Sequence, residues 1–297
     1  MNRLPDFIII GAMKAATSTL HEQLAAQPGI FMSRPKEPNF FSDDSQYALG
    51  INWYTSLFAA APSSSLCGES STHYTKLPTW PHTIARMQKH FPLAPKCIYI
   101  MRDPIDRLIS HYIHEWTQQV ISEPINTAID SHPELIHYSC YAKQIQPFLE
   151  AFGSDSILPV FFESLSERPQ FELERVCRFI GYADSPHWNA DLQRQNASAE
   201  RLRKSAWRDA LTNLPGMAAL RRTLIPRSIR DWVKSFWSMK NRPVLTPANR
   251  DRLTSLFNED LAILSRYLGC PINVHDFRAV ALQTQPHWVP SALETVA

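Results

Sequence analysis

Glycine is scarce in this chain, eight residues among 297, whereas proline is plentiful at 23. Its loops are therefore expected to be stiff. The nucleotide-triphosphate loop G-x-x-x-x-G-K-[ST] has no match, which speaks against an ATPase or kinase of that type. Cysteine is sparse and unpatterned: Cys67, Cys97, Cys140, Cys177 and Cys270 are odd in number and never in C-x-x-C spacing. That argues against a disulfide scaffold or a zinc site and for buried thiols in a reducing compartment, so a cytoplasmic location is expected. The eleven histidines include no H-E-x-x-H or similar spacing, and no metal is assigned. No apolar run approaches the length of a membrane span, and the opening MNRLPDF lacks the apolar core of a signal peptide. Repeats and low-complexity segments are missing too. A formal net charge of +2 is too small for a nucleic-acid binder working by bulk charge, so no nucleic-acid partner is expected and any anion site must be local.

What is present supports a globular core: 44% of residues are hydrophobic and 20% charged. The chain is organised around Phe7 to Leu20, FIIIGAMKAATSTL. Phe7-Ile8-Ile9-Ile10 is short, apolar and β-branched, as a strand buried on both faces should be. Gly11 breaks it. A small-residue turn, Ala12 to Ala16, carries one cation, Lys14. Thr17, Ser18 and Thr19 open a helical pattern that Pro28-Gly29 stops. Strand, tight turn, hydroxyls and helix N-terminus make an anion cradle, because free N–H groups and the positive helix end face the turn. A phosphate or sulfate is expected there; an ordinary strand–turn–helix with a solvated Lys14 is the other reading.

Further on, Pro35 and Pro38 bracket Lys36-Glu37 and forbid a regular helix. Glu37 is thus either a carboxylate base held on a stiff loop or half of a solvated surface pair. Trp53-Tyr54 and Leu57-Phe58 are expected on a helix covering the site. Ser65 to Gly68 reads weakly as a strand, and Glu69 with His73 makes a less favoured catalytic pair. Lys96 to Met101 is a clear strand. Asp103 and Pro104 then cap a helix running to about Val120. Arg102 at that strand's end and Ser110 two turns into the helix are suited to grip one tetrahedral anion, since the guanidinium fork bonds two oxygens at once. A surface pair of Arg102 or Arg107 with Asp103 is the alternative.

A helix over Tyr141–Phe152, a strand over Ile157–Phe162, a helix over Phe171–Ile180 and a last helix from Pro247 to Leu268, closed by Gly269, complete the pattern. The rest is expected to be a tail. Residues 221–242 mix seven cations with Trp232, Phe236 and Trp237. A basic flap packed on the domain is favoured for them over a membrane-touching face. Strands alternating with helices give an α/β fold with a mostly parallel central sheet and helices on both faces. Anion features at two strand ends suit a ligand with two separated acidic groups.

The runs GAMKAATSTL, RPKEPNFF, GESSTHY and IYIMRDPIDRLISHY, in that order, resemble the PAPS-dependent sulfotransferases, whose donor is 3′-phosphoadenosine-5′-phosphosulfate. The resemblance is closest to the carbohydrate branch, the heparan-type O- and N-sulfotransferases and their bacterial relatives. It spans about residues 6–270, and VFFESL, FIGY and RPVLTP extend it. It implies a P-loop-like fold in a single domain over 1–297, with a basic flap at about 196–245. It also implies sulfuryl transfer to a hydroxyl or amine, on a carbohydrate or small-molecule acceptor, without a metal. Lys14, Ala15, Ala16, Thr17, Ser18 and Thr19 would hold the 5′-phosphosulfate. Arg102 and Ser110 would hold the 3′-phosphate, with Arg201 and Arg203 standing in for a basic loop the sequence lacks in its usual form. Lys14 and Glu37 would be catalytic. Three departures are Ala16 for a frequent Gly, Ser70 for a lysine after glutamate, and Asn39 for a histidine. A P-loop-like small-molecule kinase and a non-catalytic binder of acidic glycans are the competing readings.

Overall fold

The computed structural model describes residues 3–192 and 242–290. In chain order the elements are β1 (Phe7–Gly11), α1 (Thr17–Ala25), β2 (Ile30–Met32), α2 (Asp44–Tyr47), α3 (Ile51–Ser56), β3 (Leu66–Ser70), α4 (Thr83–His90), β4 (Lys96–Met101), α5 (Pro104–Thr117), α6 (Ile125–Ser131), α7 (Glu134–His137), α8 (Tyr141–Phe152), β5 (Ile157–Phe161), α9 (Phe162–Glu167) and α10 (Pro169–Ile180). After the undescribed stretch come α11 (Pro247–Leu268) and α12 (Phe277–Gln283).

The five strands make one parallel sheet in the order β2-β3-β1-β4-β5. β1, the central strand, is buried at all five positions, as its continuous apolar run requires. Right-handed crossovers put α1 on one face and the helices between β3 and β5 on the other, since those two connections step in opposite directions across the sheet. Accordingly α1 packs on β2 and β3, whereas α8 packs on β5 and receives α4 and α11. The α/β class and the strands β1, β3, β4 and β5 are as expected from the sequence.

Register decides where the chemistry gathers. Ile9 pairs with Ser70 on one side and with Ile98 on the other, so β1, β3 and β4 end at one edge. Their next residues, Gly11 to Ala12, Ser71 and Arg102, therefore emerge side by side at the carboxyl ends of a parallel sheet, the usual ligand-binding edge.

Two expectations need correction. The helix after β4 ends at Thr117, short of Val120. The segment after Gly269 is more than a tail: α12 is ordered, and the buried Trp288 donates from Nε1 to the Ile157 carbonyl at 2.8 Å. Ile272, Val274, Phe277, Ala281 and Trp288 are all buried. Their spacing is too irregular for a periodicity argument to detect.

One glycine is fixed by packing as well as by its φ of +150°. A Cβ on Gly11 would stand 2.0 Å from Thr75 Oγ1, the hydroxyl that donates to the Ile10 carbonyl at 2.8 Å. Gly11→Ala should therefore destabilise the fold by about 2 kcal/mol or more through overpacking. Adding Thr75→Ala should recover part of the loss, and thermal denaturation of the single and double variants checks both.

Candidate active site

The turn after β1 is shaped by its small residues. Lys14 and Ala16 both sit in the left-handed region, at φ of +69° and +64°. Ala16 is the N-cap of α1 and, having only a methyl group, supplies no side-chain cap. The N–H groups of Thr17, Ser18 and Thr19 thus lack intrahelical acceptors at the positive end of a nine-residue helix. Thr17 is buried, Ser18 exposed, and Lys14, Ala16 and Thr19 half-buried. Ala12 donates its N–H to the Ile100 carbonyl at 2.9 Å, which fastens the turn to β4.

The loop bearing Glu37 is strained in the same manner. Glu37 and Asn39 have φ of +57° and +51°, each costing on the order of 1 kcal/mol for a residue with a Cβ. Hydrogen bonds hold it there: Glu37 N–H to the Ser70 carbonyl at 2.9 Å, and Asn39 N–H to Ser71 Oγ at 3.0 Å. The Glu37 carboxylate accepts from Lys36 Nζ at 2.8 Å and from Thr72 Oγ1 at 3.1 Å. Burial acts to raise its pKa, but the charges of Lys36 and Lys76 and the bonds from Lys36 and Thr72 outweigh it. The carboxyl lies below its ordinary value and is ionised at neutral pH. It is paired with Lys36, half-buried, and anchored at the sheet edge.

Glu69, at the end of β3, is wholly buried. Its Oε1 accepts from Tyr54 OH at 2.9 Å and Tyr74 OH at 2.8 Å, and its Oε2 from Ser71 Oγ at 2.7 Å. Ser71 and Tyr74 in turn receive the Asn39 and Phe41 N–H groups. Glu69 therefore positions the Glu37 loop from beneath. The suggested Glu69–His73 pair does not form, because His73 stacks on Trp80 at 5.1 Å and burial lowers its pKa to about 4. Sequence spacing gave no sign of this hub; the tyrosines at 54 and 74 are the only trace it leaves.

At the third corner, Arg102 is half-buried. Its Nη1 donates to the Lys14 carbonyl at 3.1 Å, its guanidinium lies 4.4 Å over the Phe162 ring, and its Nε has no partner among the described residues. Beside it, Glu163 Oε1 accepts from the Asp103 N–H at 2.9 Å, while Oε2 is buried and unpartnered. Burial raises the Glu163 pKa to about 7. Ser110 is half-buried on α5. Asp103 caps α5 as expected, accepting from the Asp106 N–H at 2.8 Å. Arg107 makes no surface pair with Asp103: it is fully buried, donating to Ser139 Oγ at 2.5 Å and the Leu135 carbonyl at 2.7 Å.

The fold thus brings Lys14 to Thr19, Glu37 and Arg102 to one sheet edge, with Ser110 on the adjoining helix. Arg201, Arg203 and the segment 221–241 lie outside the described residues. Among the described residues no group of histidine, cysteine, aspartate and glutamate has the arrangement of a metal site.

The family model of the sulfotransferase domain matches residues 4–262. Mouse heparan sulfate glucosamine 3-O-sulfotransferase 3B1 is 30% identical over 188 residues, covering 60% of this chain and 46% of that protein. Mouse bifunctional heparan sulfate N-deacetylase/N-sulfotransferase 4 is 28% identical over 210 residues, covering 63% and 23%. The chain therefore spans about half the length, or less, of these curated relatives. Among solved structures, a sulfotransferase from Alicyclobacillus acidocaldarius superposes with a TM-score of 0.55 at 25% identity, over 66% of this chain and 91% of that one.

The Glu69 hub makes a testable statement about pH. Burial pushes its carboxyl up to about 7 against the pull of three hydroxyl donors. Below the ordinary carboxylate range both folded and unfolded chains hold the proton. Between there and pH 7 only the folded chain does, so this group's stabilisation falls as pH rises and is lost above about 7. Glu69→Gln removes that step. Going from pH 5 to pH 8, the wild type should lose on the order of 2 kcal/mol more than the variant. Denaturant titration of both proteins at each pH measures the difference, and groups common to both cancel.

Proposed function

Since the chain belongs to the sulfotransferase domain family, we propose that it moves a sulfuryl group from PAPS to a hydroxyl or amine of a carbohydrate acceptor. The observation that carries the reading is the junction of two anion features: the Arg102 guanidinium donates to the Lys14 carbonyl, so the turn and the β4 tip face one ligand. The uncapped first turn of α1 and the unpartnered Arg102 Nε fit a donor with phosphate groups at both ends. A kinase reading lacks the Gly-Lys-Ser/Thr spacing.

When bound, PAPS supplies a sulfur that exchanges its bond to the 5′-phosphate oxygen for one to the acceptor, the bond's electron pair leaving with adenosine-3′,5′-bisphosphate. Lys14 and the N–H groups of Thr17 to Thr19 stabilise the charge that grows on the bridging oxygen, at about 3 kcal/mol per well-aimed donor. Glu37 takes the acceptor proton. Its ionised state at neutral pH suits that task, and general-base help of this kind is worth roughly 10²–10⁴ in rate. Arg102 and Ser110 hold the 3′-phosphate, and Arg102 also steadies the Lys14 turn. The carbohydrate class follows the heparan sulfate relatives.

Labelled PAPS offered with desulfated and N-sulfated heparosan, simple glycosides and aryl alcohols tests the proposal. Transfer to the glycans is expected. Glu37→Ala should lower turnover at least ~100-fold while binding adenosine-3′,5′-bisphosphate as tightly as wild type does. Lys14→Ala should lower turnover by a similar factor. Wild-type turnover in Glu37→Ala would remove the base assignment, and sulfated-glycan affinity without transfer would favour a non-catalytic binder.

A further inference from the structure

Lys76 reads in sequence as an ordinary surface lysine before Leu77-Pro78. The fold buries it: 9% of the residue is exposed. It directly follows the 3-10 turn Thr72–Thr75, which joins the two proposed catalytic residues. Thr72 at the turn's start donates to Glu37 Oε2 at 3.1 Å. Thr75 at its end donates to the Ile10 carbonyl, at the root of the Lys14 turn, at 2.8 Å. Lys76 thus directly follows a turn tied at one end to the Glu37 carboxylate and at the other to the strand that precedes the Lys14 turn.

Its ammonium lies 5.7 Å from the Tyr138 ring centroid and makes no ion pair among the described residues. Glu37 pairs with Lys36 and accepts from Thr72, and Glu115 lies 3.4 Å from His111 Nε2. Glu37 and Lys36 face Lys76 from the proline-rich loop, and Glu115 and Arg107 face it from α5. Lys14 and Lys76 both press on the His111 imidazole, which stacks on Tyr138 at 5.6 Å. Both lysines thus act on one imidazole of α5, and Lys76 also acts on Glu37. A lysine nine-tenths buried, with no ion pair among the described residues and next to the turn that holds the proposed base, is suited to an anionic group.

We propose that Lys76 contacts the oxygens of the transferring sulfuryl group, completing with Lys14 and Glu37 the set of charged groups around the reacting atoms. The inference rests on the donor reading above. It also gives a use to a residue outside the motifs. Burial lowers the Lys76 pKa to about 8, so the ammonium persists at neutral pH and is lost above pH 8.

Calorimetry with PAPS and with adenosine-3′,5′-bisphosphate, in the absence of acceptor, isolates the sulfuryl group as the difference between the two ligands. Lys76→Met should weaken PAPS binding about tenfold while changing bisphosphate affinity less than about twofold, as expected for one lost charge-assisted hydrogen bond. Lys76→Arg should restore most of the preference. In wild type the preference for PAPS should decline above pH 8, and in Lys76→Arg it should stay flat, because guanidinium does not titrate there. Melting curves of each variant exclude misfolding. If wild type bound both nucleotides and Lys76→Met left their ratio unchanged, or weakened both equally, Lys76 would have no part in holding the sulfuryl group. If wild type bound neither nucleotide, the donor reading itself would fall and this inference with it.

Discussion

A carboxylate without an exposed atom holds the proximal side of this cleft together. Glu69 gathers Tyr54, Tyr74 and Ser71, and through the last two it pins the backbone of Asn39 and Phe41. Burying an acid this way is costly unless every lone pair is used, and here three hydroxyls converge on it. The aromatic packing around it follows from the same demand. Phe40 stacks on Tyr54 at 4.7 Å and Phe41 meets Tyr54 edge-on at 5.0 Å, so the residues just after Glu37 are clamped from α3. A base at the tip of a loop is useful only if the loop does not wander, and this arrangement supplies the rigidity that few glycines and two flanking prolines begin.

Strain is concentrated where that rigidity is needed. Lys14, Ala16, Glu37 and Asn39 all take left-handed backbone conformations, although none is glycine. Each would relax in isolation. Each is held because its neighbours are bonded to a sheet strand: Ala12 to Ile100, Glu37 to Ser70, Asn39 to Ser71. The sheet register thus transmits directly into the angles of the two loops that carry the proposed chemistry.

Much of this was legible in the residues. β1 announced itself by four consecutive apolar residues, α5 by Asp103-Pro104, and α11 by Thr246-Pro247 and Gly269, because each depends on neighbours in sequence. The Lys14 turn, Glu37 and Arg102 were found for the same reason: local motifs carry them. Three features were not legible. Arg107 reads as a surface partner for Asp103 but is drawn into the core by Ser139 and Leu135, contacts 28 or more residues away. Glu69 depends on Tyr54, which precedes it by 15 residues on another element. The docking of Trp288 on β5 joins residues 131 apart. Contacts of that range are set by tertiary packing and leave no periodic signal.

Arg102 links the two proposed anion features physically. A guanidinium committed wholly to a distant phosphate would leave the Lys14 turn to find its own support. Instead Nη1 braces the Lys14 carbonyl, the ring of Phe162 backs the plane, and Nε has no partner among the described residues. Bracing the carbonyl also fixes the peptide whose neighbours hold the left-handed angles, so a ligand oxygen drawn to Nε would stiffen the turn at the other end of the same ligand. Beside that guanidinium, Glu163 accepts the Asp103 N–H on Oε1, and burial raises its carboxyl to about 7. The proposed site is therefore assembled through backbone atoms as much as side chains, in a chain poor in glycine.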